Sequence, residues 1–364
     1  MTAERRHVEV DDADPRRRGL ARGAQLRDEL PGCLTTYLRL FETVGVPQAQ
    51  ARAAALELAE IVGDWRPDML TEIAGVAEGA GLELWQLMAL NGRTEILSQA
   101  TASGPAECST LVYAPIGATA FGVQTWDWHE ELDRFWHTHR VAGTRYSYAG
   151  MTEQGVLSKI GVNSAGVAVH FNILSHLDDA PAGVPVHLLS AAVLAEAGSV
   201  SEAVELLQSA PIATSGALTI FGTGGAVCVE LTPGRVTVIE PVNGFAPHTN
   251  HFLDPVNAER EKSWLYQPDS QQRLDLIAQR LGANPIPRRV DDLVDYLYSE
   301  PGQPLLCCVP APEAQFGDRW ATLATVLLEP EARRARVLAG SPADARRGAP
   351  WIALQADESL EVSR

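Results

Sequence analysis

The sequence changes character at Cys108, and this change limits the folds that the chain can adopt. Before it, stretches rich in Ala, Leu and Glu carry apolar residues at helical spacing, which predicts helices. After it, alternating and β-branched stretches predict strands, with further helices between groups of strands. Because strands and helices do not alternate one by one, a parallel βαβ sheet is excluded. We expect an α+β layered protein.

The bounds of the predicted elements follow from these patterns. Helices are expected over residues 17–43, 48–63, 67–79, 83–97, 186–196, 201–209, 270–281 and 289–299. Strands are expected over residues 109–114, 119–128, 156–162, 167–172, 218–221, 226–231, 235–242, 320–328 and 334–338. Ser201 is the expected N-cap of its helix. The segment Asn163–Gly166 predicts a four-residue hairpin loop between two strands.

The charge balance argues against nucleic acid as a partner. The chain of 364 residues holds 46 acidic and 29 basic residues, a formal net charge of −17. A chain of this charge repels phosphate as a whole. It also contains no run of 18 apolar residues, so we expect no membrane partner and no membrane span.

The cysteines and the first residues bear on the compartment. The cysteines are odd in number and scattered, as Cys33, Cys108, Cys228, Cys307 and Cys308. The beginning of the chain lacks the apolar stretch of a secretory signal. These features predict a cytoplasmic protein with reduced thiols.

Four side chains are candidates for chemistry. Cys108 lies where a loop of small residues becomes a strand. Asp127 lies inside the Trp-rich strand segment 124–128, where a buried acid needs a dedicated partner. Asn172 and Asn250 are side-chain amides near strand ends, and such amides can donate to a developing oxyanion.

Two histidines close together in the chain are candidates for a metal site. His248 and His251 are three residues apart, a spacing that would suit zinc on a helix. Pro247 and Pro255 argue against a helix, and no cluster of Cys or His supplies the missing ligands. We therefore expect neither a metal ion nor another cofactor.

Taken in order along the chain, these motifs resemble a known family. They are Cys108, Asp127, Asn163–Gly166 leading to Asn172, the segment His248–His251, and the segment Asp318–Leu323. This order resembles that of the acyl-coenzyme A:6-aminopenicillanate (isopenicillin N) acyltransferases, which are self-processing cysteine N-terminal-nucleophile (Ntn) hydrolases. The resemblance spans roughly residues 15–340 of the chain.

The resemblance implies a fold and a processing event. The fold is a four-layer αββα Ntn-hydrolase sandwich with an N-terminal helical segment. The processing event is self-cleavage between Glu107 and Cys108. It would produce a mostly helical chain of residues 1–107 and a catalytic core of residues 108–364, which would remain associated.

The resemblance also implies roles for the site residues. The freed α-amine of Cys108 takes the proton of its own thiol, and the thiolate attacks an amide or thioester carbonyl. Asn250 donates to the oxyanion, with Asn172 or a backbone N–H as the second donor. Asp127 orients the amine, and Arg319 lies near the thiol, where its charge favours the thiolate and neutralises Asp127. The expected substrate is a small-molecule amide, a peptide or an acyl thioester.

Two other interpretations stay open. A papain-type hydrolase would use Cys108, His251 and Asn250 without any cleavage of the chain. An uncut, non-catalytic protein would only bind acylated small molecules. The sequence also leaves open whether water or an amine accepts the acyl group.

Overall fold

The computed structural model of the protein describes residues 5–100, 108–262 and 269–357, and within them the strands form two sheets. The larger sheet has the order β1 (His7–Asp11), β4 (Trp136–Ala142), β5 (Tyr148–Glu153), β6 (Ile160–Asn163), β7 (Val167–Ile173), β8 (Gly216–Gly222), β9 (Gly225–Thr232) and β10 (Arg235–Ile239). The smaller sheet has the order β11 (Phe245–His248), β2 (Cys108–Tyr113), β3 (Phe121–His129), β12 (Trp320–Glu329), β13 (Arg334–Ala339) and β14 (Trp351–Gln355). Strands β1 and β4 pair in parallel, and the neighbouring pair β4–β5 is antiparallel.

Helices cover the outer faces of both sheets. The larger sheet carries α7 (Val186–Glu196) and α8 (Val200–Ser209). The smaller sheet carries α10 (Ser270–Ala283) and a 3-10 helix over Val290–Leu297, on which α11 (Pro342–Arg346) packs. The short helix α9 (Pro255–Ala258) lies between β11 and α10 in the chain. The two sheets face each other, with β2 against β7 and β13 against β5. The predicted α+β class and the four-layer αββα sandwich are confirmed.

The N-terminal helices form an additional body beside this sandwich. They are α1 (Pro15–Leu26), α2 (Leu30–Thr43), α3 (Gln48–Trp65), α4 (Pro67–Ala80), α5 (Leu84–Asn91) and α6 (Arg93–Leu97). Helices α1 and α4 lie so close that a Cβ on Gly19 would be 2.1 Å from the Glu72 carbonyl oxygen. Only glycine permits this approach, which buries the ion pair of Arg18 with Glu72 between the helices. Among the described helices, none has both the length and the apolar character to cross a membrane.

Several predicted bounds differ from the structure. The segment 17–43 is two helices rather than one, because Pro31 begins a new helix after a turn. Helix α8 is capped by Ser199, whose side chain accepts from the Glu202 N–H, and not by Ser201. The N-terminal segment also contains β1, which joins the larger sheet through β4. Strands β1, β4, β5, β11 and β14 were not predicted.

Candidate active site

Cys108 is the first residue of β2, in the middle of the smaller sheet. It pairs across the ladder with Trp126 of β3, so the two side chains lie on the same face. That face is turned towards the larger sheet, since β2 packs against β7. The Cys108 side chain is 4% exposed, and every residue of β3 is buried. The thiol therefore lies between the two sheets. Glu107, the expected residue before the cut, lies outside the described residues.

Three side chains hold the backbone of Cys108. Its N–H donates to Oδ1 of Asn250 at 2.7 Å. Its carbonyl oxygen accepts from Nδ2 of Asn172 at 3.0 Å and from Nη1 of Arg273 at 3.1 Å. These residues come from the segment after β11, from β7 and from α10. Of the predicted site residues, Asn172 and Asn250 are thus brought directly onto Cys108.

The remaining contacts of the two amides fix their orientation. Oδ1 of Asn172 accepts from the Thr110 hydroxyl at 2.7 Å. Nδ2 of Asn250 donates to the Ile173 carbonyl at 2.9 Å. A side-chain amide carries two N–H groups, so Asn250 retains a second N–H beyond the one that binds Ile173. The same residue can therefore hold the Cys108 nitrogen through oxygen and offer an N–H to an oxyanion.

The thiol of Cys108 is kept protonated by its surroundings. Burial raises its pKa to about 11, although the charge of Lys159 and a hydrogen bond from the Asp127 backbone N–H act in the opposite direction. The negative charge of Asp127 also raises the pKa of the thiol, whereas the guanidinium of Arg273 lowers it. Since only a thiolate is strongly nucleophilic, a base must remove this proton before Cys108 can react.

A buried ion cluster of Arg93, Glu153 and Lys159 lies near Cys108. Nζ of Lys159 is 2.9 Å from Oε1 of Glu153, and Nη2 of Arg93 is 2.6 Å from the same oxygen. The side chains of all three are 2% exposed. The Lys159 ammonium lies 4.4 Å from the centre of the Trp126 ring, and Arg93 lies 4.2 Å from that of Trp128. These tryptophans therefore pack against buried cations.

Asp127 is fully buried on β3, opposite Thr322 of β12. Alternation along the strand places its carboxylate on the other face of the sheet from Trp126. Its backbone N–H donates to the Cys108 sulfur, and its negative charge raises the pKa of the thiol. Asp127 therefore adjoins Cys108 through its backbone N–H, while its carboxylate lies on the other face of the sheet from the Cys108 side chain.

Arg319 does not lie where the sequence placed it. Its guanidinium binds the carboxylate of Glu130, with Nε at 2.8 Å, and its side chain is 36% exposed. The strand register explains the difference. Trp320 lies opposite His129, so Arg319 comes level with Glu130, whereas Cys108 is level with Trp126. Four residues along a strand amount to about 13 Å. The arginine beside Cys108 is Arg273.

The two histidines of the segment 248–251 bind different partners. His248 lies 3.2 Å from Oε1 of Glu230, in a fully buried pair. Nδ1 of His251 is 2.8 Å from the Ser270 hydroxyl, and burial lowers the pKa of His251 to about 4. Within residues 5–100, 108–262 and 269–357, no group of three or more His, Cys, Asp or Glu side chains is placed to hold a metal ion.

A mostly apolar cavity of about 480 Å³ lies between β9, β10, β11 and α10. Residues that line it include Ile239, Phe245, Ala246, Leu274, Ala278 and Leu281. Two further facts relate it to the site in sequence: Pro247 precedes His248, and Leu274 follows Arg273. Its volume is in the range of small-molecule sites.

Sequence reasoning missed Arg273, Lys159, Glu153 and Arg93. Arg273 lies on a predicted helix, but no local pattern distinguishes it from other surface arginines. The sequence did distinguish Lys159, because it is one of only two lysines in the chain. It was overlooked because it lies in a segment that predicts an ordinary strand, just before β6.

Three comparisons place the chain among known proteins. Residues 117–344 match the model of the family described as acyl-coenzyme A:6-aminopenicillanic acid acyl-transferase. The chain is 31% identical over 212 residues to the acyl-coenzyme A:6-aminopenicillanic-acid-acyltransferase 40 kDa form of Emericella nidulans. That alignment covers 57% of this chain and 58% of the relative, so the chain spans little more than half of the relative's length.

Two solved structures are also similar. One is the Caenorhabditis elegans N-acylethanolamine-hydrolyzing acid amidase ortholog, with 14% identity, 61% of this chain and 93% of that chain covered, and a TM-score of 0.45. The other is the R18L variant of conjugated bile acid hydrolase from Clostridium perfringens, with 14% identity, 71% and 95% covered, and a TM-score of 0.47.

The family model settles the resemblance that the motifs suggested. It begins nine residues after Cys108 and runs through β3, the two sheets and the segment of Arg319. Because it matches well over half of the residues, this chain belongs to the acyl-coenzyme A:6-aminopenicillanic acid acyl-transferase family.

Proposed function

We propose that the protein is a self-processing cysteine Ntn hydrolase that cleaves or transfers an acyl group through a Cys108 acyl-enzyme. The observation that carries the proposal is the hydrogen bond from the Cys108 N–H to Oδ1 of Asn250. The amide oxygen is aimed at the nitrogen that cleavage before Cys108 would turn into an α-amine. The same contact would then hold the amine beside its own thiol.

The reaction would proceed in two stages. First, the thiol attacks the carbonyl of Glu107, and water hydrolyses the resulting thioester to free the α-amine of Cys108. Second, this amine removes the thiol proton in each turnover, because the pKa of an α-amino group is about 7.7–8.0. The thiolate attacks the substrate carbonyl, the leaving group departs with a proton, and water or an amine takes the acyl group.

The residues around Cys108 would divide the work between them. Asn250 holds the amine through Oδ1, and its second N–H is available to the oxyanion. Asn172 and Arg273 bind the Cys108 carbonyl and so fix the nucleophile's backbone. Asp127, whose charge acts on the thiol, would orient the new ammonium.

The substrate and partners are part of the proposal. An amide, a peptide or an acyl thioester each presents the carbonyl that a thiolate attacks. The buried pair of Arg93 with Glu153 supports continued association of the two chains after the cut. All five cysteines are free thiols, which supports a reducing compartment such as the cytoplasm.

A substrate panel tests the proposal, with Asn250→Ala as the diagnostic variant. Purified protein would be offered N-acyl amino acids, short peptides and acyl-coenzyme A donors with amine acceptors, and product would be followed by mass spectrometry. On any substrate turned over, Asn250→Ala should lower kcat by about a hundredfold or more, because one oxyanion donor is lost. Asn284→Ala, at an exposed helix end, is the control.

The outcome separates the candidate functions. Turnover that falls in Asn250→Ala but not in Asn284→Ala supports the proposal. Binding of acylated molecules without any turnover, by a chain that remains uncut, would instead identify a non-catalytic binder.

His251→Gln tests the papain-type alternative. We expect a loss smaller than about tenfold, because His251 is bonded to Ser270 and its role would be to support the backbone of Asn250. Loss of a general base typically costs about 10²–10⁴-fold. A decrease above a hundredfold in a folded, cleaved variant would therefore assign the base role to His251 and contradict the Ntn mechanism.

A further inference from the structure

The proposed mechanism has a gap at its first step. The α-amine of Cys108 is the base during turnover, but in the uncut chain that nitrogen is an amide. Its N–H donates to Oδ1 of Asn250, and an amide nitrogen accepts no proton. The thiol is protonated, since burial raises its pKa to about 11. Self-cleavage therefore needs another base.

Lys159 is placed to act on this thiol. Its ammonium lies over the ring of Trp126, the residue directly across the ladder from Cys108 and on the same face of the sheet. Among the charged groups around Cys108, Lys159 has the largest effect on the pKa of the thiol, which it lowers. Cys108 in turn raises the pKa of Lys159.

The neighbouring charged groups are poorer candidates. Arg93 and Arg273 are guanidinium groups, which do not give up a proton in proteins. Glu153 is occupied by both Arg93 and Lys159, which hold its pKa below the ordinary value although burial alone would raise it. The carboxylate of Asp127 lies on the opposite face of β3.

We propose that the Lys159 amine is the base that removes the Cys108 thiol proton in the uncut chain, before the α-amine exists. This inference rests on the self-processing proposed above. Among 29 basic residues the chain has only two lysines, and one of them is buried here, where an arginine would supply charge but could not act as a base.

The chemical step balances without any additional reagent except water. Neutral Lys159 takes the thiol proton, and the Cys108 thiolate attacks the carbonyl carbon of Glu107. The bond between that carbon and the Cys108 nitrogen breaks, and the Lys159 ammonium returns the proton to the departing nitrogen. Water then cleaves the thioester, which leaves a carboxylate on Glu107 and restores the Cys108 thiol.

Lys159 is able to be neutral near physiological pH. Burial lowers its pKa to about 8, and the charge of Arg93 lowers it as well. Glu153 and Cys108 raise it, but they do not outweigh burial. The other ionisable groups around the cluster include Tyr37 and Cys33 from α2, Glu95 from α6, His129 from β3 and His187 from α7, besides Asp127 and Arg273 beside Cys108. Tyr37 stays protonated, since burial raises its pKa well above the ordinary value. His187 stays neutral, since burial lowers its pKa.

The segment that holds Lys159 is fixed by the N-terminal helices. Nδ2 of Asn91, in α5, donates to the Gly155 carbonyl at 2.8 Å, and its Oδ1 accepts from the Leu157 N–H at 3.2 Å. Nη1 of Arg22, in α1, donates to the Leu157 carbonyl at 2.5 Å. Residues before the cut thus position the base for the cut.

The test measures cleavage of newly made full-length chain as a function of pH. Protein would be synthesised in a cell-free system, pulse-labelled, and chased at pH 6–9, with the cut fraction read from a denaturing gel. The wild-type rate should rise with pH and pass half of its maximum near pH 8, where half of Lys159 is neutral. Lys159→Arg keeps the positive charge beside Glu153 but cannot release a proton, so cleavage should slow by at least about a hundredfold.

Controls separate this role from a structural one. Lys262→Arg changes the other lysine and should cleave at the wild-type rate. Lys159→Met removes charge and base together and should also fail to cleave, and thermal melting reports whether each variant folds. A role in folding alone would not place the midpoint of the wild-type profile near pH 8, so this profile tests the proposal even if both variants unfold.

Three results would count against the account, and they differ. A Lys159→Arg chain that is cut within about threefold of the wild-type rate overturns the role of Lys159 alone. A wild-type rate that is constant between pH 6 and 9 does the same. A wild-type chain that is never cut overturns self-processing itself, together with the inference drawn from it.

Discussion

Replacing Cys108 with alanine should abolish acyl transfer and leave the chain as a single 39.2 kDa species. The reason is that one sulfur atom is the nucleophile in both stages, so its loss removes the acyl shift and the acyl-enzyme together. The expected loss of activity is about a thousandfold or more, to the level that the remaining binding contacts sustain. Activity on the best substrate of the panel and the mass of the denatured chain are the two measurements.

Cys307→Ala is the matched control for that substitution. Cys307 is also buried, and its sulfur donates to the Leu297 carbonyl at 3.7 Å. It should be cut and active like the wild type. If Cys108→Ala retained the activity, or if Cys307→Ala lost it while folded, the nucleophile would have to be reassigned.

Glu153→Gln should cause the largest loss of stability in the protein. The Glu153 carboxylate accepts from Arg93, Lys159 and the Tyr37 hydroxyl, and all of these groups are buried. Neutralising it would leave two cations in the core without a carboxylate. Removing one partner from a buried ion pair typically costs about 3–5 kcal/mol in the free energy of unfolding. Urea unfolding at pH 7, with Cys108→Ala in both chains to keep them uncut, measures the loss.

The pH dependence of the same variant has a definite sign. Arg93 and Lys159 hold the pKa of Glu153 below its ordinary value, against the effect of burial. A carboxyl of this kind stabilises the fold above its unfolded pKa, about 4.3, and that stabilisation disappears as the pH falls towards the folded pKa. The difference in stability between the two chains should therefore shrink below about pH 4.

Glu9→Gln provides the comparison for the ion cluster. Glu9 pairs with Arg140 at 2.9 Å, but its side chain is 32% exposed. A partly exposed pair contributes about 1 kcal/mol or less. Equal losses for Glu153→Gln and Glu9→Gln would mean that the buried cluster has no special energetic role.

The sequence was sufficient for the layers of the fold and for part of the site. The predicted bounds of α7 match the observed ones, and the Asn163–Gly166 loop joins β6 to β7 as predicted. The resemblance predicted the αββα sandwich. Cys108, Asn172 and Asn250 are far apart in the chain, yet the hydrogen bonds bring them together. These elements are fixed by local pattern or by motifs that a family shares.

What the sequence did not reveal depends on register and on distant contacts. The pairing of β12 with β3 decides that Arg319 meets Glu130, and no local pattern encodes that pairing. The site's arginine, Arg273, depends on how α10 docks, and Lys159 on how the segment after β5 is held by Asn91 and Arg22. Such contacts arise only when separate elements pack.

The two chains that cleavage would produce remain a prediction, and mass spectrometry of the purified wild-type protein tests it most directly. The account predicts two species under denaturing conditions, of about 11–12 kDa and about 27–28 kDa in proportion to length from the 39.2 kDa total. The larger species should begin with the sequence Cys108-Ser-Thr. A single species of full mass in an active enzyme, or a larger fragment that begins at another residue, would contradict the claim that Cys108 becomes an N-terminal nucleophile.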